Sequence, residues 1–384
     1  MKVGIYYLSS LLHDESTILK QREAFLKELK YEFIEVKQDE FNKYPLTLIL
    51  IETGGSEAKF KELSKKVNGP YYILTKGDNN SLAASLEILR YIHINHQKGE
   101  ILHGSFDYIN NRIKELLTLD NLGVIGKPSD WLIASDVNYN DALSKFNVNL
   151  IDISLDEVIA NYQNDDNSYK VNGEFDKEEL SKAYKLYKAF RTVKDKYNLK
   201  GLTIRCFDLL GALHTTGCLG LSLLNDEGIT GTCEGDVPSL LAMYLLNRDL
   251  NLLSFQANPS RIDLDNQQMI VAHCTIPLKM TLTHNYDTHF ESKIGVAIHG
   301  ELPLDKVTIF KISNDLKYYY VGSGTITKNL YLDTLCRTQI EIKYADDLTY
   351  YLNRSLANHH LFVIGDHKDA IINMMTKYGL ERVK

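Results

Sequence analysis

The sequence predicts an α/β protein with two doubly wound, parallel-sheet α/β domains followed by a β-rich antiparallel C-terminal domain. Three observations carry this expectation. A length of 384 residues exceeds one compact core and implies two or three domains. Up to residue 250, short apolar runs alternate with helical patterns, as strand–turn–helix units of a parallel sheet do. Beyond residue 252, short β-rich runs follow one another with no crossover helix between most of them, which is an antiparallel pattern.

In chain order, residues 3–8 read as a buried strand and 17–29 as a helix with apolar periodicity. Residues 46–51 form the next strand and end at Thr53-Gly54-Gly55-Ser56-Glu57, a strand-to-helix turn with Ser56 as N-cap. A third strand, 71–74, is closed by Gly77-Asp78-Asn79-Asn80-Ser81, and a helix over 81–96 follows. A second unit begins with strand character at 122–126, 132–135 and 150–153. The polar stretch 161–172 reads as a surface loop before a long helix over 177–197. Strands at 201–207 and 229–233 then alternate with helices at 212–224 and 239–246. The C-terminal strands are expected at 255–257, 269–273, 279–284, 295–299, 307–312, 318–321 and 338–342. A last strand at 361–364 sits between helices at 345–353 and 367–378. The expected domains are 1–115, 116–250 and 251–384, with the chain free to cross back near its C-terminus.

A net charge of −7 provides no basic field for nucleic acid or anionic lipid. The Lys-rich stretch 182–200 alternates with apolar residues at helical spacing and reads as a solvated helix face. Five scattered cysteines form no CxxC pair, which argues against a disulfide framework or zinc knuckle and for a reducing compartment. No signal-peptide pattern and no membrane-spanning apolar run is present, so a cytoplasmic protein is expected. Neither GxGxxG nor a P-loop occurs, and the G-x-S-x-G elbow of serine hydrolases is missing.

The strongest chemical motif is Cys233-Glu234-Gly235-Asp236-Val237-Pro238, two carboxylates flanking a glycine between a strand and a helix. Asp236 can serve as a helix N-cap, and both acids gain from the helix dipole. Asp208 ends the preceding strand, so it and the Glu234/Asp236 pair are expected to open at one sheet edge. Crowded carboxylates share a proton or bind a cation. His273 ends an apolar strand, and His359-His360 precede another; adjacent strand residues face opposite sides, so one of that pair can face a site. Such a donor set suits manganese or magnesium. Ser129-Asp130-Trp131 holds the only tryptophan, which either stacks on a ring-shaped ligand or packs beside a capping Ser/Asp pair, and Arg337 can bind an anion or join an internal ion pair.

From Asn225-Asp226-Glu227-Gly228 through Cys233-Glu234-Gly235-Asp236-Val237-Pro238, the chain resembles the fucose/arabinose isomerase family. Ala257-Asn258-Pro259-Ser260, Ala272-His273-Cys274-Thr275, Thr288-His289-Phe290-Glu291, Cys336-Arg337-Thr338-Gln339 and Asn358-His359-His360 extend the likeness. The resemblance implies a metal-dependent aldose–ketose isomerase acting on a monosaccharide through an enediolate. It implies Mn2+, with Mg2+ or Co2+ as alternatives, and a homo-oligomer, trimer or hexamer. By position, Asp236 matches an acidic metal ligand and His360 the C-terminal histidine ligand. The family's other acidic ligand falls near Gly217-Cys218, where no carboxylate stands, so Asp208 or Glu234 is expected in its place. The expected catalytic residues are Glu234, Asp236 and Asp208, and the expected metal ligands Asp236, Glu234 and His360. His273, Asn258, Ser129, Trp131 and Arg337 are expected to bind substrate. The alternative is a non-catalytic sugar-binding or regulatory protein on the same fold.

Overall fold

The computed structural model describes every residue except 1, 11–13, 42, 68, 96, 98, 172 and 384. His96 and Asn172, where the sequence reading ends a helix and a loop, therefore lie outside the described residues. The chain divides into two compact units. One is the chain up to Asp120 together with Lys196–Asn198; the other is Asn121–Asp195 with the chain from Leu199 onward. The expected second and third domains thus share one unit.

The first unit contains β1 (Lys2–Leu8), α1 (Glu15–Lys27), β2 (Glu32–Glu35), β3 (Thr47–Ile51), α2 (Glu57–Ser64), β4 (Tyr71–Leu74), α3 (Ser81–Ile94), β5 (Gly99–Leu102) and α4 (Phe106–Leu117). Its sheet has the order β2-β1-β3-β4-β5, all parallel. Every residue of β3 and β4 is buried, as strands covered on both faces require. Ser56 does not cap α2 with its side chain: its hydroxyl donates to Thr53 O at 2.8 Å and Leu8 O at 3.3 Å. Strands β2 and β5 were not expected, because Glu-Phe-Ile-Glu and Gly-Glu-Ile-Leu are too short and charged to register as apolar runs.

The chain continues through β6 (Asp120–Ile125), α5 (Tyr139–Phe146), β7 (Val148–Ile153), α6 (Leu155–Gln163), α7 (Lys177–Lys196), β8 (Leu199–Ile204), α8 (Cys206–Leu213), α9 (Cys218–Asp226), β9 (Thr230–Cys233) and α10 (Val237–Leu250). The sheet order is β7-β6-β8-β9, with β6, β8 and β9 parallel. Residues 132–135 form a turn rather than a strand, closed by Ser135 N donating to Leu132 O at 3.0 Å. The single helix expected at 212–224 is two helices. His214 is left-handed at φ 50°, and the Thr216 hydroxyl donates to Val296 O at 2.6 Å, a tertiary bond that breaks the helix.

The rest is β10 (Phe255–Asp263), β11 (Gln268–His273), β12 (Thr283–Asp287), β13 (Ala297–Glu301), β14 (Lys306–Ile312), β15 (Tyr318–Asn329), β16 (Thr338–Tyr344), α11 (Thr349–Asn353), β17 (His360–Ile364), α12 (Lys368–Lys377) and β18 (Glu381–Arg382). Strand order β14-β17-β10-β11-β16-β15 closes on itself through antiparallel β14–β15 pairing, making a barrel that removes its own edges. Phe255, Val271, Ile309, Ile340 and Phe362 belong to its buried core. Helix α10 is buried from Val237 through Leu246 and packs against β8 and β9 as well as β14 and β17. It is polar on no face along this stretch because sheet and barrel cover it from both sides.

Candidate active site

Strand β9 ends at Cys233, and the chain must turn at once to enter α10. It does so through Glu234 at φ 65° and Gly235 at φ 61°. A Cβ on Gly235 would stand 2.9 Å from Lys127 O and 3.0 Å from Ser129 Oγ, so only glycine fits. Glu234 has a Cβ and tolerates this conformation because its backbone carbonyl accepts the Ser129 hydroxyl. The turn thereby projects the Glu234 side chain into a cavity of about 500 Å³, a volume typical of small-molecule sites.

Two histidines meet that carboxylate, one ending β11 and one just before β17, the two strands that flank β10. Strand β10 pairs with β11 on one side (Asn258 with Ala272) and with β17 on the other (Ala257 with His360). This register brings the end of β11 and the entry to β17 together. His273 Nε2 lies 3.5 Å from Glu234 Oε1, and His359 Nε2 lies 3.7 Å from Glu234 Oε2. Both imidazole Nε2 atoms are buried without a hydrogen-bond partner, a cost the fold bears only where something else engages them.

The opposite ring nitrogens are engaged. His359 Nδ1 lies 2.9 Å from Asp236 Oδ2, so the ring donates there and keeps its lone pair on Nε2. Thr275 Oγ1 lies 2.9 Å from His273 Nδ1 and can orient that ring in the same way. Asp236 is 3 % exposed and caps α10, accepting from Ser239 N at 2.9 Å and Ser239 Oγ at 2.7 Å. Behind it lies fully buried Lys311, its Nζ 3.6 Å from Asp236 Oδ2. Burial pushes the Asp236 carboxyl up, but Lys311 and His359 outweigh this and hold it well below the usual carboxylate range. Burial likewise raises Glu234, while His273, His359 and the Trp131 side chain bring it down to about 2. Both carboxylates are therefore ionised at neutral pH.

Glu234, His273 and His359 each offer a ligand atom within 4.8 Å of the others and could hold a metal ion. The donor set of one carboxylate and two outward Nε2 atoms fits a divalent ion, and Asp236 on Nδ1 of His359 supplies the usual outer partner.

Not every expected residue arrives here. His360 is turned away: its Nδ1 donates to Asn358 O at 2.9 Å, and its Nε2 faces Tyr350 Oη at 3.0 Å. Burial holds its pKa down, to about 3. The histidine that faces the cluster is His359, because adjacent residues of extended chain point to opposite sides. Asp208 is ion-paired with Arg205 at 2.9 Å and does not line the cavity. Asp236 stands behind His359 rather than in the cavity wall. Ser129 latches the Glu234 turn, and Arg337 is held by Thr288 O at 2.8 Å and Asp287 at 3.2 Å, outside the lining. Trp131 and Asn258 do line it, as does Glu291, to which the sequence reading assigned no role. The sequence did hold a signal for Lys311, a lone cation inside the apolar run 307–312.

No protein-family model matches the chain. Curated relatives do. The sulfoquinovose isomerase of Clostridium sp. (strain MSTE9) is 25% identical over 214 residues, 51% of this chain and 46% of that protein. The sulfoquinovose isomerases of Alkalicoccus urumqiensis and Priestia aryabhattai are 26% and 23% identical over 137 and 194 residues. These matches cover 34% and 48% of this chain and 31% and 43% of the two proteins. The chain is a distant relative of sugar isomerases. It spans less than half the length of each of these relatives. No described helix is long and apolar enough to cross a membrane.

Proposed function

We propose that this protein is a metal-dependent aldose–ketose isomerase of a neutral monosaccharide, working in the cytoplasm as a homo-oligomer. The observation that carries this reading is the convergence of Glu234 with the two buried, unpartnered Nε2 atoms of His273 and His359, with Glu234 and His273 lining a sugar-sized cavity. Manganese is the proposed ion. Held by Glu234, His273 and His359, it would supply positive charge that lowers the cost of the negative charge an enediolate develops.

The remaining work falls to the chain. Glu234 and Glu291 are the carboxylates among the cavity's lining residues, so they are the groups proposed to pass the proton between C1 and C2. Glu234 is ionised at neutral pH. Asp236 holds His359 in one tautomer, with Lys311 balancing its charge. Trp131 offers an aromatic face to the sugar, and Asn258 and Asn358, hydrogen-bonded to each other at 2.7 Å, offer amides to its hydroxyls. Among the described residues no Lys or Arg lines the cavity, and two carboxylates do. A sulfonate such as that of sulfoquinovose would enter without a Lys or Arg side chain to pair with. A neutral pentose, hexose or deoxyhexose fits these walls better.

The test is proton exchange in heavy water over a panel of neutral aldoses and sulfoquinovose, with Mn2+ added. Exchange with a neutral aldose, lost in Glu234→Gln and after chelation, supports the reading. Exchange with sulfoquinovose alone overturns the substrate class. Tight sugar binding with no exchange on any substrate would leave a binding protein instead.

A further inference from the structure

All five cysteines of the chain line the cavity that holds Glu234 and His273. They fall into two groups. Cys218, Cys274 and Cys336 cluster around Ala297. Cys206 and Cys233 form the second group, with the Cys233 thiol hydrogen-bonded to Cys206 Sγ at 3.0 Å. The two residues differ in access: Cys206 is partly exposed in the first turn of α8, whereas Cys233 is buried at the end of β9.

We propose that Cys206 and Cys233 are a redox-modification site, a dithiol in the cavity wall that a peroxide converts to a disulfide. The balance is complete with hydrogen peroxide as oxidant. Cys206, the accessible sulfur, attacks one peroxide oxygen; the O–O bond breaks, hydroxide leaves and takes up a proton, and Cys206 becomes a sulfenic acid. Cys233 then gives up its proton and attacks the Cys206 sulfur. The S–O bond breaks, a second water leaves, and the disulfide forms. Two thiols lose two electrons and two protons, and one peroxide becomes two waters.

Closing a contact of 3.0 Å to a disulfide bond requires an approach of about 1 Å. Cys233 has little room to supply it. Its N–H donates to Gln256 Oε1 at 2.9 Å, and the next two residues are wedged against Lys127 and Ser129. The movement therefore falls on Cys206 and the start of α8. The adjacent Phe207 ring packs edge-on against Trp131, 5.4 Å between centroids. Oxidation thus reshapes the cavity wall beside Glu234 and disturbs the only tryptophan in the chain. In a reducing cytoplasm such a pair is transient, as redox-responsive thiols are.

The test uses the full chain, prepared reduced and treated with hydrogen peroxide. The expected mass loss is about 2 Da, with a proteolytic fragment joining Cys206 to Cys233. Trp131 emission should change with the same time course, and dithiothreitol should reverse both. Cys206→Ser, which alters the more exposed partner, should show neither the linked fragment nor the emission change. A bond joining Cys274 to Cys218 or Cys336 instead, or sulfinic acid at Cys206 with no crosslink, would overturn the proposal. So would an unchanged Trp131 signal in a fully crosslinked sample. None of these readouts depends on isomerase activity, so the outcome stands whether or not the proposed reaction is found.

Discussion

His359 and His360 are neighbours in sequence with opposite environments. His359 sends an unpartnered Nε2 toward Glu234, while His360 spends both nitrogens on Asn358 and Tyr350. Only the first can take part in the proposed metal site. His359→Ala is therefore expected to abolish measurable Mn2+ binding by calorimetry, and His360→Gln to leave it within a few-fold of the parent. Asp236→Asn keeps the shape but removes the anion that holds the His359 tautomer, and should weaken Mn2+ binding by about 10–100-fold. Equal effects of His359→Ala and His360→Gln would sink this assignment. Glu234 also carries a pH signature. Its carboxyl is depressed from an ordinary value of 4.5 to about 2. The folded state thus binds this proton less readily than the unfolded chain. The resulting stability is present above pH about 4.5 and is lost as pH falls toward about 2. Urea unfolding of the metal-free protein across that window should show a shallower loss in Glu234→Gln than in the parent. Cys233-Glu234-Gly235-Asp236 stood out in the sequence because two acids and a glycine at a strand–helix junction are unusual. The choice between His359 and His360 did not, since pattern alone says only that they face opposite ways.

At the scale of elements, α10 and β14 meet through one buried charge pair. Lys311 has Asp236 and, at 3.4 Å, Ser239 Oγ as polar neighbours, whereas Asp236 also has His359 and the Ser239 N–H. Removing Asp236 therefore strands a buried ammonium, while removing Lys311 leaves the carboxylate with partners. Asp236→Ala should cost about 3–5 kcal/mol in urea unfolding, and Lys311→Met distinctly less. The double variant should recover part of the Asp236→Ala loss; a strictly additive double variant would contradict the pairing. Regular elements with long apolar periodicity, such as α3, α7 and α10, were legible in the sequence. The helix break at residues 214–217 was not, because a hydrogen bond from Thr216 to Val296, 80 residues away, decides it. The 132–135 turn was misread as a strand because its apolar residues do not pack in a sheet: Leu132, with Trp131 before it, lines the cavity, and Ile133 is 98 % exposed.

For the whole molecule, the second unit carries the candidate site entirely, from Trp131 and Cys206 in its α/β part to His273 and Asn358 in its barrel. An ion bound by residues 234, 273 and 359 crosslinks β9 to two barrel strands and has no such site in the unfolded chain. Millimolar Mn2+ should therefore raise the thermal midpoint by several degrees, by about 2.7 kcal/mol of added stability at a hundred times the dissociation constant. Chelation should reverse the shift, and His359→Ala should not show it. An unchanged midpoint in the parent, measured by calorimetry, would count against a resident ion.

By itself the sequence determined the class of architecture, the turn that presents Glu234, and the likeness to sugar isomerases. These are local properties: period, turn chemistry and motif order are written along a short stretch of chain. Tertiary structure alone decided that β14 pairs with β15 to close a barrel, and that β10 lies between β11 and β17. That register brings residues 234, 273 and 359 within reach of one another while turning His360 inward and leaving Asp208 to Arg205. The physical reason is that convergence across more than a hundred residues depends on strand pairing and on which face each residue presents. No periodicity within a single segment encodes either.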